Sequence, residues 1–510
     1  MTPELIDKKS SRWAMFYSTS IIGSASILSV VVGLVRIKVA AILLGPIGIG
    51  MIGLLQSIVA SVSTMAGMGV TNSGTRYVAQ SLSDQKQLST VRAALFWGTF
   101  FLAGVGGFFV WSFREQIAVN ILGESGYSLK MGWIALGVVL SVGTGSQTAL
   151  IRGMHRPRDI ALVTVFGAVL GTLFACTSIL GLGENGVFLF VVSAPLATFL
   201  VGHWFARKLP KVERHVGIKY VCSDFFKIIR LGFVLMLAGL GVVLGHLWLR
   251  TEISQELGVT QLGYFQAAWM ISSTYIGFVL TAMGNDYYPR IAARINDSRC
   301  INQMVNQQTE IALLLGAPIL LGMFLFSPVA VIILYSPEFL PAAELVRLFV
   351  FGDLIKMTAF PQRYVVMSSG RGIYFLFVET LPICLLLLVV MMFKGAHGLY
   401  AVGWGYVGMN VLILVMSAVF VKVKYGFVWD GFALRIFYLT LILLLCSFFV
   451  VNIDNKLLFL GFSMLIMLIS VVFNIRRLLF LCAENQPKIS IFNAVDRIYF
   501  LLKKQFSVFR

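Results

Sequence analysis

The sequence is poor in charge. Only 12% of its 510 residues are Asp, Glu, Lys or Arg, whereas 58% are hydrophobic. A water-soluble domain of this length would need more polar surface than so few charged residues supply. The composition therefore excludes a soluble globular protein and predicts a chain that lies in lipid.

Acidic residues are the scarcest charged class. The sequence has 22 Asp and Glu residues and 40 Lys and Arg residues, which gives a formal charge of +18. The basic residues lie in short connections between apolar runs, where cytoplasmic loops of membrane proteins carry them. Membrane topology therefore explains the charge, and no nucleic-acid partner is predicted.

Metal-binding and catalytic patterns are also lacking. The five His and six Cys form no CxxC pair and no cluster, so no metal site is predicted. The cysteines fall in predicted spans or cytoplasmic loops, where disulfides are not expected. No hydrophilic segment is long enough for a soluble catalytic domain. The sequence therefore gives no indication of an enzyme.

Long apolar runs fill most of the chain. A helix needs roughly 20 apolar residues to cross a bilayer. Fourteen such runs predict an all-α polytopic membrane protein. They are 18–43, 47–70, 90–112, 132–151, 159–181, 186–206, 230–250, 261–284, 309–334, 344–366, 373–393, 397–421, 433–452 and 456–475.

Basic connections alternate with short neutral or acidic ones along the chain. This alternation predicts that both termini are cytoplasmic. The longest basic connection separates two sets of six spans. The predicted regions are an N-lobe (1–206), a cytoplasmic linker (207–229), a C-lobe (230–424), two extra helices (425–475) and a cytoplasmic amphipathic tail (476–510).

A short motif occurs in both lobes. Two apolar-Gly pairs, five residues apart, lie at 44–50 and again at 257–263. Both copies are followed by an apolar span and a basic residue, Arg76 or Arg290. Coincidence is the alternative, because Leu and Gly are common in membrane helices. The agreement in topology favours a parallel repeat of two six-helix lobes.

Arg36 and Lys38 lie within the first predicted span. A charge facing lipid costs about 2.5–3.5 kcal/mol on insertion scales, so at least one of them should face a watery interior. The alternative is that the side chain reaches the outer headgroups, which suits Lys38 better than the deeper Arg36. We predict a cationic cavity formed by these two residues with Arg250 and Lys356.

Asp353 and Lys356 lie in the tenth span at i,i+3 spacing, which puts them on one helix face. They either neutralise one another or serve as a gate whose charges exchange partners. Asp286 and Arg290 end the eighth span as a helix-end anchor or an inner latch. Candidates for ion coupling are Glu379 and His246, unless each is simply hydrogen-bonded within the bundle.

Three islands of sequence resemble a known family. They are the glycine-rich stretch 44–56 with its continuation at 74–80, the segment 287–290, and the segments 352–356 and 371–379. In order and spacing they resemble the Wzx-type flippases of O-antigen and common antigen. Those proteins belong to the multidrug/oligosaccharidyl-lipid/polysaccharide exporter superfamily.

The resemblance implies a location, a substrate and a cycle. Two six-helix lobes would surround a central cavity in the bacterial inner membrane. Cationic residues would bind the diphosphate of an undecaprenyl-linked glycan, and rocking of the lobes would carry it from the cytoplasmic to the periplasmic leaflet. The polysaccharide polymerase machinery is an implied partner. No cofactor is expected, and coupling to H⁺ or Na⁺ is left open.

Three alternative functions predict features that differ from those of this sequence. A multidrug or cation antiporter of the same fold should have anionic residues in the first lobe, where this chain has Arg36 and Lys38. A polymerase or ligase should have a large external loop, which the sequence lacks. A structural scaffold would not explain the charges within spans.

Overall fold

The computed structural model describes residues 3–209, 217–453 and 455–484, and this part of the chain is helical without a strand. The all-α prediction is confirmed. The helices are α1 (Pro3–Gly67), α2 (Val70–Gln80), α3 (Gln85–Ser112), α4 (Arg114–Ile117), α5 (Met131–Gly153), α6 (Pro157–Leu182), α7 (Val187–Arg207), α8 (Ile218–Glu252), α9 (Val259–Ala293), α10 (Ser298–Leu325), α11 (Ser327–Leu334), α12 (Ala342–Ser368), α13 (Gly372–His397), α14 (Tyr400–Tyr425), α15 (Gly431–Val451) and α16 (Lys456–Glu484).

Each predicted span coincides with a helix or with part of a broken helix. Within the described residues, nine helical stretches are long and apolar enough to cross a membrane, or ten if the bent helix α8 counts as one span. Two of the nine contain a break, at Gly45 and at 183–186. The arrangement is compatible with fourteen spans.

We call α1–α7 the N-half and α8–α14 the C-half. The basic end is the end of the bundle at which α2 meets α3, α5 meets α6 and α9 meets α10. The other end is the distal end. The predicted linker is helical from Ile218 onward. Its residues 210–216, and residues 485–510 of the predicted tail, lie outside the described part.

Backbone breaks recur at nearly constant spacing in the two halves. Gly45 and Gly258, 213 residues apart, both have positive φ, at 61° and 94°. Gly183 and Gly398, 215 residues apart, have φ of 56° and 53°. Three further pairs end or begin helices at the same spacings: Asp84 with Asp297, Phe113 with Phe326, and Arg156 with Arg371. These matched positions favour the parallel repeat.

The halves approach each other closely at the distal end. A Cβ at Gly50 would lie 2.5 Å from the Val259 carbonyl oxygen, and one at Gly263 would lie 2.0 Å from that of Pro46. Glycine is therefore needed where α1 crosses α9. At the basic end, α8 touches the N-half, where a Cβ at Gly232 would lie 2.3 Å from the Met68 carbonyl oxygen.

The last two helices pack beside the C-half. Arg477 Nε of α16 donates to Glu310 Oε1 of α10 at 2.6 Å, and Glu310 is 5% exposed. The Arg477 guanidinium also lies 3.6 Å from the ring centre of Phe432 in α15. One arginine therefore links α15 and α16 to α10.

Candidate functional site

A cavity of about 560 Å³ lies between the two halves. Its walls come from α1, α2, α5 and α7 of the N-half and from α8 of the C-half. We call it the interhalf cavity. None of its lining residues is charged, and the polar ones carry amides or hydroxyls: Gln56, Ser63, Thr64, Thr71, Asn72 and Ser141. Such groups can exchange hydrogen bonds with the hydroxyls of a sugar.

A second cavity, of about 400 Å³, lies among α1, α5, α6 and α7, and we call it the N-half cavity. Arg36 and Arg152 line it and no carboxylate does. Its hydroxyls come from Ser29, Thr144, Thr148, Thr164, Thr172 and Thr198. Ala194 of α7 lines both cavities. Cationic side chains without a neighbouring carboxylate suit an anion.

Arg36 is held on one side only. Its Nη2 donates to the Phe190 carbonyl oxygen at 2.5 Å, and its guanidinium lies 4.2 Å from the centre of the Phe190 ring. Its Nε is buried and has no hydrogen-bond partner in the described part. A guanidinium carries five N–H donors in a fixed plane. Arg36 is therefore fixed in place with donor capacity left for a ligand.

Lys38 lies against the other half. Its ammonium donates to the Ile332 carbonyl oxygen at 2.7 Å and to that of Tyr335, at the end of α11. It is not among the residues that line the two cavities described above. Arg36 and Lys38, two residues apart on α1, therefore contact different halves.

Arg250 and His246 form a network inside the C-half. Arg250 Nε donates to Gln266 Oε1 at 3.1 Å, and its Nη1 donates to the His246 carbonyl oxygen at 3.2 Å. Arg250 is 8% exposed. The His246 ring packs edge-on against Trp269, with ring centres 4.7 Å apart. These contacts use Arg250 to connect α8 to α9.

Asp353 is fully buried and accepts three hydroxyl hydrogen bonds. Ser272 and Tyr406 donate at 2.7 Å each, and Tyr275 donates to the same oxygen as Ser272. Lys356, one turn away, interacts electrostatically with Asp353 and His246. Sequence reasoning missed the hydroxyls, although Ser272 and Tyr275 share one face of an apolar span.

Glu379 is already paired. Arg363 of α12 donates through both Nε and Nη2 to its two carboxylate oxygens, at 2.5 Å for Nε. Sequence reasoning did not single out Arg363.

Arg290 is exposed near the basic end of α9, whereas the side chain of Asp286 lies outside the described part, so their predicted latch stays a prediction. In that part, no group of three or more His, Cys, Asp or Glu residues could hold a metal ion.

Comparison with known proteins identifies the family. The profile of a family described as "Polysaccharide biosynthesis protein" matches residues 39–344. The chain belongs to this family. The predicted resemblance to polysaccharide-related exporters is confirmed, and the matched region includes Arg250 and most of both cavities.

Two curated proteins are similar to this chain in sequence. It is 22% identical over 400 residues to "Lipid III flippase" of Escherichia coli (strain K12), across 76% of this chain and 94% of that protein. It is 21% identical over 350 residues to "Succinoglycan biosynthesis transport protein ExoT" of Rhizobium meliloti (strain 1021), across 66% and 65% of the two chains.

Solved structures show the same fold. "Lipid II flippase MurJ, inward closed conformation" aligns with a TM-score of 0.71 at 13% identity, covering 89% of this family member and 97% of that chain. A multidrug resistance MATE family transporter in an inward-facing conformation aligns with a TM-score of 0.60 at 16% identity, covering 78% and 94%. The fold therefore occurs in both flippases and drug transporters, and the site must distinguish them.

Proposed function

We propose that this protein is a flippase for an undecaprenyl-diphosphate-linked oligosaccharide, moving it from the cytoplasmic to the periplasmic leaflet of the bacterial inner membrane. The likeness to a lipid III flippase along most of both chains supports this substrate class. Both termini would be cytoplasmic, with the distal end outside. The protein would bind and release its substrate without changing it chemically.

Arg36 is the observation that carries the proposal. Its guanidinium is held by Phe190, the residue lines the N-half cavity, and its buried Nε has no hydrogen-bond partner in the described part of the chain. A diphosphate offers oxygens that match a guanidinium fork. Because Ala194 lines both cavities, the diphosphate at Arg36 would leave the sugars next to the amides and hydroxyls of the interhalf cavity.

Alternating access would expose the interhalf cavity to each side of the membrane in turn. The distal contact between α1 and α9 and the basic-end contact of α8 are the two closures that would open alternately. Among the predicted coupling residues, His246 remains a candidate for H⁺ or Na⁺ coupling, and Asp353 remains a candidate gate. Glu379 is less suited, because Arg363 occupies both its oxygens.

A drug transporter is the second candidate, since the fold is shared with a multidrug transporter. Cationic drugs need carboxylates or aromatic faces for recognition. No carboxylate lines either cavity, and the N-half cavity is cationic. The site chemistry therefore favours the lipid-linked glycan.

Complementation tests the function directly. Expression of this chain in cells that lack a lipid-linked oligosaccharide flippase should restore surface glycan and clear the accumulated lipid-linked intermediate. Failure to restore glycan with any O-antigen or common-antigen substrate, combined with resistance to cationic drugs, would transfer the assignment to the drug transporter.

Thiol labelling tests the orientation. Cysteine at Glu338, an exposed residue of the distal end, should react with an impermeant reagent added to intact cells, whereas cysteine at exposed Lys86 should not. Labelling at position 86 and not at position 338 would show that the predicted orientation is reversed.

A further inference from the structure

Two side chains, one from each half, donate hydrogen bonds across the boundary between the halves at the distal end. Lys38 of the N-half donates to the Ile332 and Tyr335 carbonyl oxygens of the C-half. Gln255 of the C-half donates through Nε2 to the Asn120 carbonyl oxygen of the N-half at 2.5 Å. Each half therefore supplies one donor and one acceptor site.

The acceptors occupy equivalent places in the repeat. Phe113 and Phe326 each end a long helix, 213 residues apart, and each is followed by a short helical segment. Asn120 lies in the turn 118–122 that continues the first segment. At the same spacing it corresponds to position 333, between the two carbonyls that Lys38 binds.

The donors also come from equivalent helices. Lys38 lies on α1 shortly before the break at Gly45, and Gln255 lies in the turn after α8 shortly before the break at Gly258. Lys394 of α13 forms ion pairs with the two glutamates that flank Gln255 in sequence, Glu252 at 2.5 Å and Glu256 at 3.2 Å. Gln255 is thus presented by a fixed segment.

The chemistry of the acceptors explains the contacts. The last carbonyls of a helix have no partner within the helix and must find another donor. A cation there also meets the negative end of the helix dipole. Lys38 and Gln255 satisfy such carbonyls across the boundary between halves. Water could replace both donors once the halves separate, so these contacts can form and break reversibly.

These contacts lie nearer the distal end than the lining of the interhalf cavity. On α1, Lys38 precedes the distal break at Gly45 by seven residues, whereas Gln56, the first residue of α1 that lines the cavity, follows the break by eleven. Gln255 precedes the break at Gly258 by three residues. Both contacts therefore join the halves at the distal end, where a mouth of the cavity would open.

We propose that Lys38 and Gln255 form a reciprocal latch that closes the outer mouth of the interhalf cavity. The latch opens when the halves separate at the distal end to release substrate. This rests on the alternating-access part of the proposed function and on the predicted topology. It removes Lys38 from the substrate-binding set and makes it a positioning residue.

The experiment measures how fast the cavity becomes accessible from outside. The native cysteines are first replaced. A single cysteine is then introduced at Thr64, which lines the interhalf cavity. Intact cells receive an impermeant thiol reagent, and labelling is followed over time. Gln255→Ala should speed labelling roughly tenfold, the effect of losing one hydrogen bond worth about 1.4 kcal/mol, and Lys38→Met, which removes two hydrogen bonds, should speed it at least as much. The double variant should exceed either.

A matched control comes from the same end of the protein. Lys130 donates to Asn185 Oδ1 at 2.7 Å, but both residues belong to the N-half. Lys130→Met removes a similar exposed contact without touching the boundary, so labelling should stay at the parental rate. Lys38→Arg keeps the cation and its donors, so its rate should stay within about threefold of the parent.

Labelling that is equally slow in both single variants and in the double variant would overturn the latch. So would Lys38→Met that stops transport at an unchanged labelling rate, because that result returns Lys38 to the substrate site. If Lys38→Met does not accumulate, Gln255→Ala carries the test alone, since Gln255 is exposed. Labelling requires no substrate, so faster labelling without complementation would retain the latch and reject the proposed substrate.

Discussion

Arg36 in the N-half and Arg250 in the C-half are both carried by the helix that precedes a glycine break, yet their surroundings differ. Arg250 is 8% exposed and shares its donors between Gln266 and the His246 carbonyl. Arg36 has one carbonyl partner, an unpartnered Nε and a cavity beside it. Equivalent helices thus hold one arginine as part of a network and the other as part of a binding site.

Asp353 extends this contrast, because hydroxyl groups of the C-half donate hydrogen bonds to a carboxylate of the same half. Three hydroxyls converge on Asp353, whereas no carboxylate lines the N-half cavity beside Arg36. A satisfied polar network rigidifies the helices that share it. We infer that the C-half charges chiefly maintain the structure and that the N-half charge chiefly binds substrate.

The largest effect is expected at Asp353. Asp353→Ala leaves three buried hydroxyls and Lys356 without their carboxylate, and should destabilise the protein by about 3–5 kcal/mol. Asp353→Asn should cost less, because the amide oxygen still accepts hydrogen bonds. Thermal unfolding of the purified protein in detergent, followed by size-exclusion chromatography, measures both.

The double variant Asp353→Asn with Lys356→Gln separates stability from transport. If the two charges only balance one another, the double variant should transport while each single variant is impaired. A stable double variant that does not transport would place Asp353 or Lys356 in the transport cycle, and would end the proposed contrast between the halves.

Arg36→Ala, in contrast to Asp353→Ala, should impair transport more than stability. Transport should fall roughly a hundredfold, the effect of about 2.7 kcal/mol of charge-assisted hydrogen bonding, while protein level stays normal. Arg36→Lys should keep part of the activity, since it keeps a point charge but loses the fork. Surface glycan and accumulated lipid-linked intermediate are the readouts.

Arg114 provides the control for Arg36. It stacks on Trp111, with 4.7 Å between the guanidinium and the ring centre, and lines neither of the two cavities. Arg114→Ala should leave surface glycan unchanged. Normal surface glycan from Arg36→Ala would refute the diphosphate site and move it to Arg250 and Lys356.

The spans and the glycine breaks could be predicted from sequence, whereas most partners could not. Apolar length defines a membrane helix locally, and a glycine pair such as Gly45 with Gly258 is visible as a motif. The i,i+3 rule correctly placed Asp353 and Lys356 on one face. It says nothing about other helices, from which Ser272, Tyr275 and Tyr406 all come.

Lys38 illustrates the same limit. The sequence predicts a charge in a span that needs a polar partner, and a cavity or a headgroup seemed the available choices. Its partners are backbone carbonyls of α11, almost 300 residues away, as the sequence separations of 294 and 297 show. Orphan carbonyls at a helix end have no side-chain signature, so composition could not reveal them.

A smaller effect is expected where α16 joins the C-half. Glu310→Gln keeps the shape of the side chain but removes the charge that Arg477 contacts, and should cost about 1.5 kcal/mol. Because Arg477 also stacks on Phe432, α15 and α16 should loosen together. Limited proteolysis at the connection 426–430 should quicken at unchanged transport. Lost transport would give the last two helices a direct role.

The smallest effect is expected at Glu379, and it sharpens the comparison of structural and functional charges. The side chains of Arg363 and Glu379 are 38% and 11% exposed, so the pair is partly solvated, and replacing both members removes the cost of desolvating them together with their attraction. Replacing both partners, as Arg363→Gln with Glu379→Gln, should therefore change stability by less than about 1 kcal/mol and leave transport near the parental rate. Glu379→Gln alone should cost more stability than the double variant, because it leaves Arg363 without its carboxylate.

Transport by the reconstituted protein at several pH values and Na⁺ concentrations is the measurement. A double variant that folds normally but loses its dependence on H⁺ or Na⁺ would restore Glu379 as the coupling residue and place a functional charge in the C-half.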